Sequence, residues 1–174
     1  MARGVALADI HPSVEKGVND QDLDGLMALY APDATMVLPD GSTVTGTEAI
    51  RGLWAGLLAM GGRMTLRSRY AIEAGDLAVL SNEWTYTVGD QTVGATTAEV
   101  ARRQADGGWL YVVDHPYAGL EAEELAALAA AMQGWVRGCC LPRPSSPGPA
   151  DTLTGRGPRE PPHRREASGP PVLR

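Results

Sequence analysis

Asn19-Asp20-Gln21-Asp22-Leu23-Asp24-Gly25-Leu26-Met27-Ala28-Leu29-Tyr30, continued by Ala31-Pro32-Asp33-Ala34-Thr35, by Pro39-Asp40-Gly41 and by Gly46-Thr47-Glu48-Ala49-Ile50-Arg51, is the stretch that decides the fold. Asp22 has the character of a helix N-cap, and Leu23, Leu26, Met27 and Tyr30 follow at helical spacing until Pro32 limits the run. Ala34 to Leu38 reads as a short strand, and Pro39-Asp40-Gly41-Ser42 as a turn, with Asp40 there to form it. Thr45 with Glu48 three residues on fits a capping box. The helix that follows presents Ile50, Leu53, Trp54, Leu57 and Leu58 on one face and stops at Gly61-Gly62.

Upstream, Pro12-Ser13 predicts a helix start, with His11 as a helix-entry residue and Val14, Gly17 and Val18 opening an apolar stripe. Downstream, the hydrophobic period changes to two at Met64. Strands are predicted at 64–73, 76–88, 92–104 and 109–116, separated by Gly75, Gly89-Asp90 and Asp106-Gly107. Helices first and a curved antiparallel sheet afterwards is an α+β order. A last helix is predicted over 120–136 from Leu125, Leu128, Met132 and Trp135. Nine prolines fall between Pro142 and Pro171 with almost no large apolar side chains, so that stretch cannot offset its ordering entropy. The reading is one domain over 1–138 and a disordered Pro/Arg-rich tail over 139–174.

The 174 residues are 44% apolar, enough for one core, and contain no Phe, so Leu, Val, Met, Trp and Tyr must fill it. Net charge is −6 and uneven: the body is acidic and the tail basic. An acidic body repels phosphate backbones, so the expected partners include no nucleic acid. No apolar run is long enough to span a membrane, and Met1-Ala2-Arg3-Gly4 lacks the apolar core of a secretion signal, which predicts a cytoplasmic protein. The only cysteines, Cys139 and Cys140, are neighbours and read as reduced thiols without metal-ligand spacing. His11, His115 and His163 are too scattered to form a metal triad, and no cofactor is expected.

The run from Asn19 to Arg51 resembles the opening of the SnoaL-like and ketosteroid-isomerase-like branch of the nuclear-transport-factor-2-like superfamily, small α+β cones with one deep pocket. Glu99-Val100-Ala101-Arg102-Arg103, Asp106-Gly107-Gly108-Trp109 and Asp114-His115-Pro116 resemble the closing hairpin of SnoaL-like proteins. The resemblance implies a cone-shaped sheet wrapped around the N-terminal helices. It also implies pocket walls at Tyr30, Trp54 and Trp84, and a concave placement for Glu99, Val112, Asp114 and Pro116. Steroid isomerases of this family use a helix tyrosine, an aspartate base on the first strand and a protonated acid late in the sheet. The resemblance lays these roles on Val14, Leu38 and Glu99. Val14 cannot donate to an enolate and Leu38 cannot take a proton, so steroid isomerisation of that kind is not expected.

What chemistry remains is acidic. With Asp106-Gly107 as a two-residue hairpin loop, Glu99 stands opposite Asp114, Ala101 opposite Val112 and Arg103 opposite Leu110. Two carboxylates in a partly buried site cannot both ionise cheaply, so one pKa should rise and the pair gains the means to act as acid and base. SnoaL-type polyketide cyclases are similar in relying on a pocket acid without metal or cofactor. Periodicity alone gives a second reading. Val100, Trp109, Tyr111 and Val113 are the more apolar face, which would turn Glu99 and Asp114 to solvent, and a bulge or longer turn would part them. The expected function is binding of a small apolar molecule, with isomerase or cyclase chemistry by Asp114 and Glu99 and a pocket that includes Val14, Leu38 and Pro116. The alternative is a non-catalytic ligand-binding or association domain. The stripe Val100, Trp109, Tyr111 and Val113 predicts a homodimer on the convex side of the sheet.

Overall fold

The computed structural model describes residues 4–138; the tail, its thiols and His163 lie outside the described residues. After a 3-10 turn at Leu7–Asp9 come α1 (Ile10–Asn19), α2 (Leu23–Met27), β1 (Tyr30–Val37), β2 (Thr43–Thr45) and α3 (Thr47–Ala59). The sheet continues with β3 (Arg63–Ala74), β4 (Leu77–Val88), β5 (Gln91–Thr96), β6 (Ala98–Arg103) and β7 (Trp109–His115), and α4 (Ala122–Gly138) closes the described chain. The α+β order read from the sequence is the order found.

The curved sheet runs β2-β1-β7-β6-β4-β3, with β5 also paired to β4. All pairings are antiparallel except β1 with β7, which brings the first strand against the last. The predicted strand over 92–104 is two strands. Thr97 breaks it, its amide donating to the Asn82 carbonyl and its hydroxyl accepting the Asn82 N–H, so β5 and β6 share one edge of β4.

Local chemistry accounts for most boundaries. Asp22 caps α2 by accepting the Gly25 amide at 2.8 Å. Tyr30, expected on that helix, instead opens β1 and pairs with Tyr111. Pro32 is tolerated because the β1–β7 ladder is irregular between Tyr30 and Thr35, where no amide is required. The expected capping box at Thr45 is absent: Thr45 lies in β2, its hydroxyl 2.9 Å from that of Thr35, and Gly46 at φ 93° starts α3. Positive φ suits Gly46 because no Cβ is present to clash.

The helices pack on the concave face. Ile10 and Val18 of α1, Leu26 of α2 and Ile50 of α3 are fully buried together with Leu80 and Tyr86 of the sheet. Each such side chain contributes about 1.5–3 kcal/mol of burial. Along β4, Ala78, Leu80, Asn82, Trp84 and Tyr86 point inward while Leu77 and Val79 remain exposed. Leu128 of α4 is buried against the same core.

Candidate functional site

The concave face and the helices enclose a cavity of about 360 Å³. Its wall is apolar, with Met36, Leu53, Met60, Met64 and, from α4, Met132 among the lining residues. Its polar groups converge from four strands: Tyr30 of β1, Asn82 of β4, Glu99 of β6, and Tyr111 and Asp114 of β7.

Glu99 and Asp114 are direct cross-strand neighbours and are 4% and 6% exposed. Two departures from the predicted hairpin cancel to put them there. The turn is longer than two residues, with the Gln104 amide bonded to the Gly108 carbonyl, so Arg103 faces Trp109 and Ala101 faces Tyr111. A bulge between Val100 and Ala101 then restores the expected register at Val100 with Val113 and Glu99 with Asp114. The extra residue is Val112. It is partly buried but does not line the cavity, contrary to the concave placement expected for it. Tyr111 takes that place, so the aromatic stripe expected on the convex face is broken: Tyr111 lines the cavity, and Trp109 is buried beneath the Arg103 guanidinium. Val14, Tyr30, Leu38, Trp54, Trp84 and Pro116 line the cavity.

The two acids differ in their company. Glu99 Oε1 accepts the Asn82 amide at 2.7 Å, and Oε2 lies 3.0 Å from His11 Nε2. The Tyr111 hydroxyl is turned to Glu99 as well. Asp114 has one donor, the Tyr30 hydroxyl at 2.5 Å. Burial, then the neighbouring Glu99 charge, push the Asp114 carboxyl up to about 7, against the opposing pull of the Tyr30 bond. Burial first, followed by Asp114 for Tyr30 and by Glu99 for Tyr111, holds both phenols well above their ordinary range, so they remain donors. Asp114, raised toward neutrality, and Glu99, bonded to Asn82 and His11, thus belong to one buried network.

His11 is the residue that sequence reasoning missed. It is buried, and a carboxylate only accepts, so its Nε2 carries the proton toward Glu99 while Nδ1 lies 2.9 Å from the Ser68 hydroxyl. Its spacing of three from Val14 and seven from Val18 set it on the apolar stripe of α1, and that was the available signal. His115 points away from this site and takes a 3.4 Å contact from the Tyr117 amide. Trp84 is fixed by donating to the Pro116 carbonyl at 2.8 Å. Asp40 forms its turn, accepting from the Ser42 amide and hydroxyl. Among the described residues no group of three or more His, Cys, Asp or Glu side chains is placed to hold a metal ion, and no helix is long and apolar enough to cross a membrane.

The profile of the SnoaL-like domain matches residues 13–115, well over half of the chain. The chain belongs to the SnoaL-like domain family. Solved structures of the wider superfamily agree on the fold. A ketosteroid isomerase-like protein from Erwinia carotovora atroseptica superposes with a TM-score of 0.53 at 15% identity, over 63% of this chain and 91% of that one. A candidate dehydratase of the NTF2-like family from Streptomyces avermitilis gives 0.53 at 18% identity, over 62% and 89%. A candidate calcium/calmodulin-dependent protein kinase type II association domain from Thiobacillus denitrificans gives 0.57 at 20% identity, over 68% and 98%. No curated protein matches the chain in sequence. At these identities the likeness is one of fold, and this SnoaL-like domain's chemistry has to be argued from its own residues.

Proposed function

We propose that this SnoaL-like domain binds a small, mostly apolar molecule in its cavity and moves a proton on it with Asp114, as a cofactor-independent isomerase or cyclase. The observation that carries this reading is the pairing of Asp114 with Glu99 at the buried end of an apolar cavity. There burial and the Glu99 charge push the Asp114 carboxyl up to about 7, and Glu99 accepts from the Asn82 amide and lies against His11. As an anion Asp114 takes a proton from a carbon next to a carbonyl and returns it elsewhere on the molecule. Steroid isomerisation of the family's usual kind is not part of the proposal, because Leu38 lines the cavity where that base would stand and Val14 where its phenol would stand.

The test is deuterium exchange into 2-tetralone, a ketone with acidic α-hydrogens, followed by NMR in heavy water. Exchange faster than in buffer, rising with pH through about 7 and lost in Asp114→Asn, is the expected result. Equal rates in protein, variant and buffer would leave ligand binding or association as the function.

One observation favours association as a second role. Ile72, Val79, Val100 and Val113 lie in direct register across β3, β4, β6 and β7 on the convex face. Ile72 is 60% exposed and Val79 46%. Such a row suits a self-complementary contact between two copies, the homodimer expected from the sequence, with Val100 and Val113 kept and Ile72 and Val79 in place of Trp109 and Tyr111.

A further inference from the structure

Resting on the small-molecule reading above, we infer that the Asn82 side-chain carbonyl is the acceptor for a donor group on the ligand. The molecule taken by this cavity is therefore apolar along its body and carries a hydroxyl, enol or N–H at the end that meets the two acids. Asn82 is 2% exposed and lines the cavity. Its backbone is satisfied by Thr97 on both sides. Its side chain is half satisfied. Nδ2 donates to Glu99 Oε1 at 2.7 Å, and since a carboxylate only accepts, the amide cannot be turned the other way. Oδ1 is left buried with no donor.

Buried amide oxygens without a partner are rare, and the neighbouring donors are already committed. His11 is turned to Glu99 and Ser68, Tyr30 donates to Asp114, and Tyr111 is turned to Glu99. The one other buried polar side-chain atom among the described residues without an ordinary hydrogen bond is Trp54 Nε1. It lies near enough to the Tyr30 hydroxyl to oppose part of that group's upward shift, so it has a neighbour on the protein. Asn82 Oδ1 has none. Less than 1 Å² of the oxygen is accessible, so a ligand hydroxyl reaches it as the Asn82 side chain shifts toward the cavity, and there it completes the amide. An isostere without the hydrogen leaves the oxygen desolvated, which is how a polar pocket rejects an analogue.

The chain holds two asparagines, which makes the inference directly testable. Full-length protein labelled with carbon-13 at the asparagine side-chain carbonyl is titrated with 2-naphthol and with 2-fluoronaphthalene, near-isosteres of which only the first donates. N19Q assigns the two signals. Asn19 is an internal control, because its amide already donates to the Met64 carbonyl and accepts the Met64 N–H. The expected result is a downfield movement of the Asn82 carbonyl with 2-naphthol only, an unmoved Asn19, and naphthol binding about tenfold tighter or more. Equal affinities, or tighter naphthol binding with an unmoved Asn82 signal, would overturn the assignment while leaving the small-molecule reading intact. Binding of neither probe would overturn both.

Discussion

The two faces of the β6–β7 hairpin alternate along the same short stretches of chain and do opposite things. Inward, Glu99 with Asp114 and Ala101 with Tyr111 place acids and a phenol against an apolar cavity, all nearly water-free. Outward, Val100 with Val113 continues an exposed aliphatic row from Ile72 and Val79. Apolar side chains to solvent and carboxylates to the interior invert the usual partition, and both halves of the inversion carry a cost. The inward cost is borne by the Asp114 carboxyl, which holds its proton to about 7. The outward cost is relieved if a second copy covers the row. The sheet thus presents an acid-lined apolar cavity on one side and an exposed aliphatic row on the other, and the ligand and the partner proposed above would each relieve one of the two costs.

Asp114→Asn separates these ideas with the largest effect. In the unfolded chain Asp114 ionises above its ordinary 3.8, whereas the folded chain keeps the proton to about 7. Below 3.8 both states are protonated and nothing is lost. Between 3.8 and about 7 the folded state alone retains the proton, so stability falls as pH rises, and above about 7 the whole cost remains. Roughly three pH units at about 1.4 kcal/mol each give a cost on the order of 4 kcal/mol. Denaturant unfolding should therefore find Asp114→Asn more stable than the parent at pH 8, with the gap closing toward pH 4, while proton exchange into ketones is lost. A variant less stable than the parent at pH 8 would mean that the inward acid is not strained.

Next in size are two changes that move the same carboxyl in opposite directions. Glu99→Gln removes a neighbouring negative charge and should bring the Asp114 titration below about 7. Tyr30→Phe removes the bond that stabilises the anion and should carry it above. The pH midpoint of ketone exchange is expected to follow each shift, and midpoints that ignored both would break the link between titration and turnover.

The outward face gives the smallest effect on folding. Val79→Lys, at a position 46% exposed, should change unfolding free energy by no more than about 0.5 kcal/mol yet convert a dimer to monomer in sedimentation. A parent protein already monomeric at high concentration would remove the partner from the outward face.

Sequence periodicity revealed the architecture where a local rule acts alone. The period change at Met64, the Asp22 cap and the stop at Gly61-Gly62 each depend on neighbours within a few residues, and each is found. What was not legible depends on distant partners. Tyr30 leaves its helical spacing because Tyr111 offers a strand to pair with, and Thr45 forgoes a cap because Thr35 stands opposite it. The bulge at Val112 leaves no compositional trace, yet it decides which aromatic faces the cavity. His11 looked like a helix-entry residue because its two partners, Ser68 and Glu99, are far away in the chain.

The most direct measurement is the titration of Asp114 itself, followed by carbon-13 NMR of labelled aspartate carboxyls in the full-length protein and assigned by the signal missing from Asp114→Asn. One buried carboxyl titrating at about 7, well apart from the surface aspartates, is the predicted result. A signal for Asp114 that titrates near its ordinary 3.8 would contradict the proton-transfer role and leave the cavity a binding site alone.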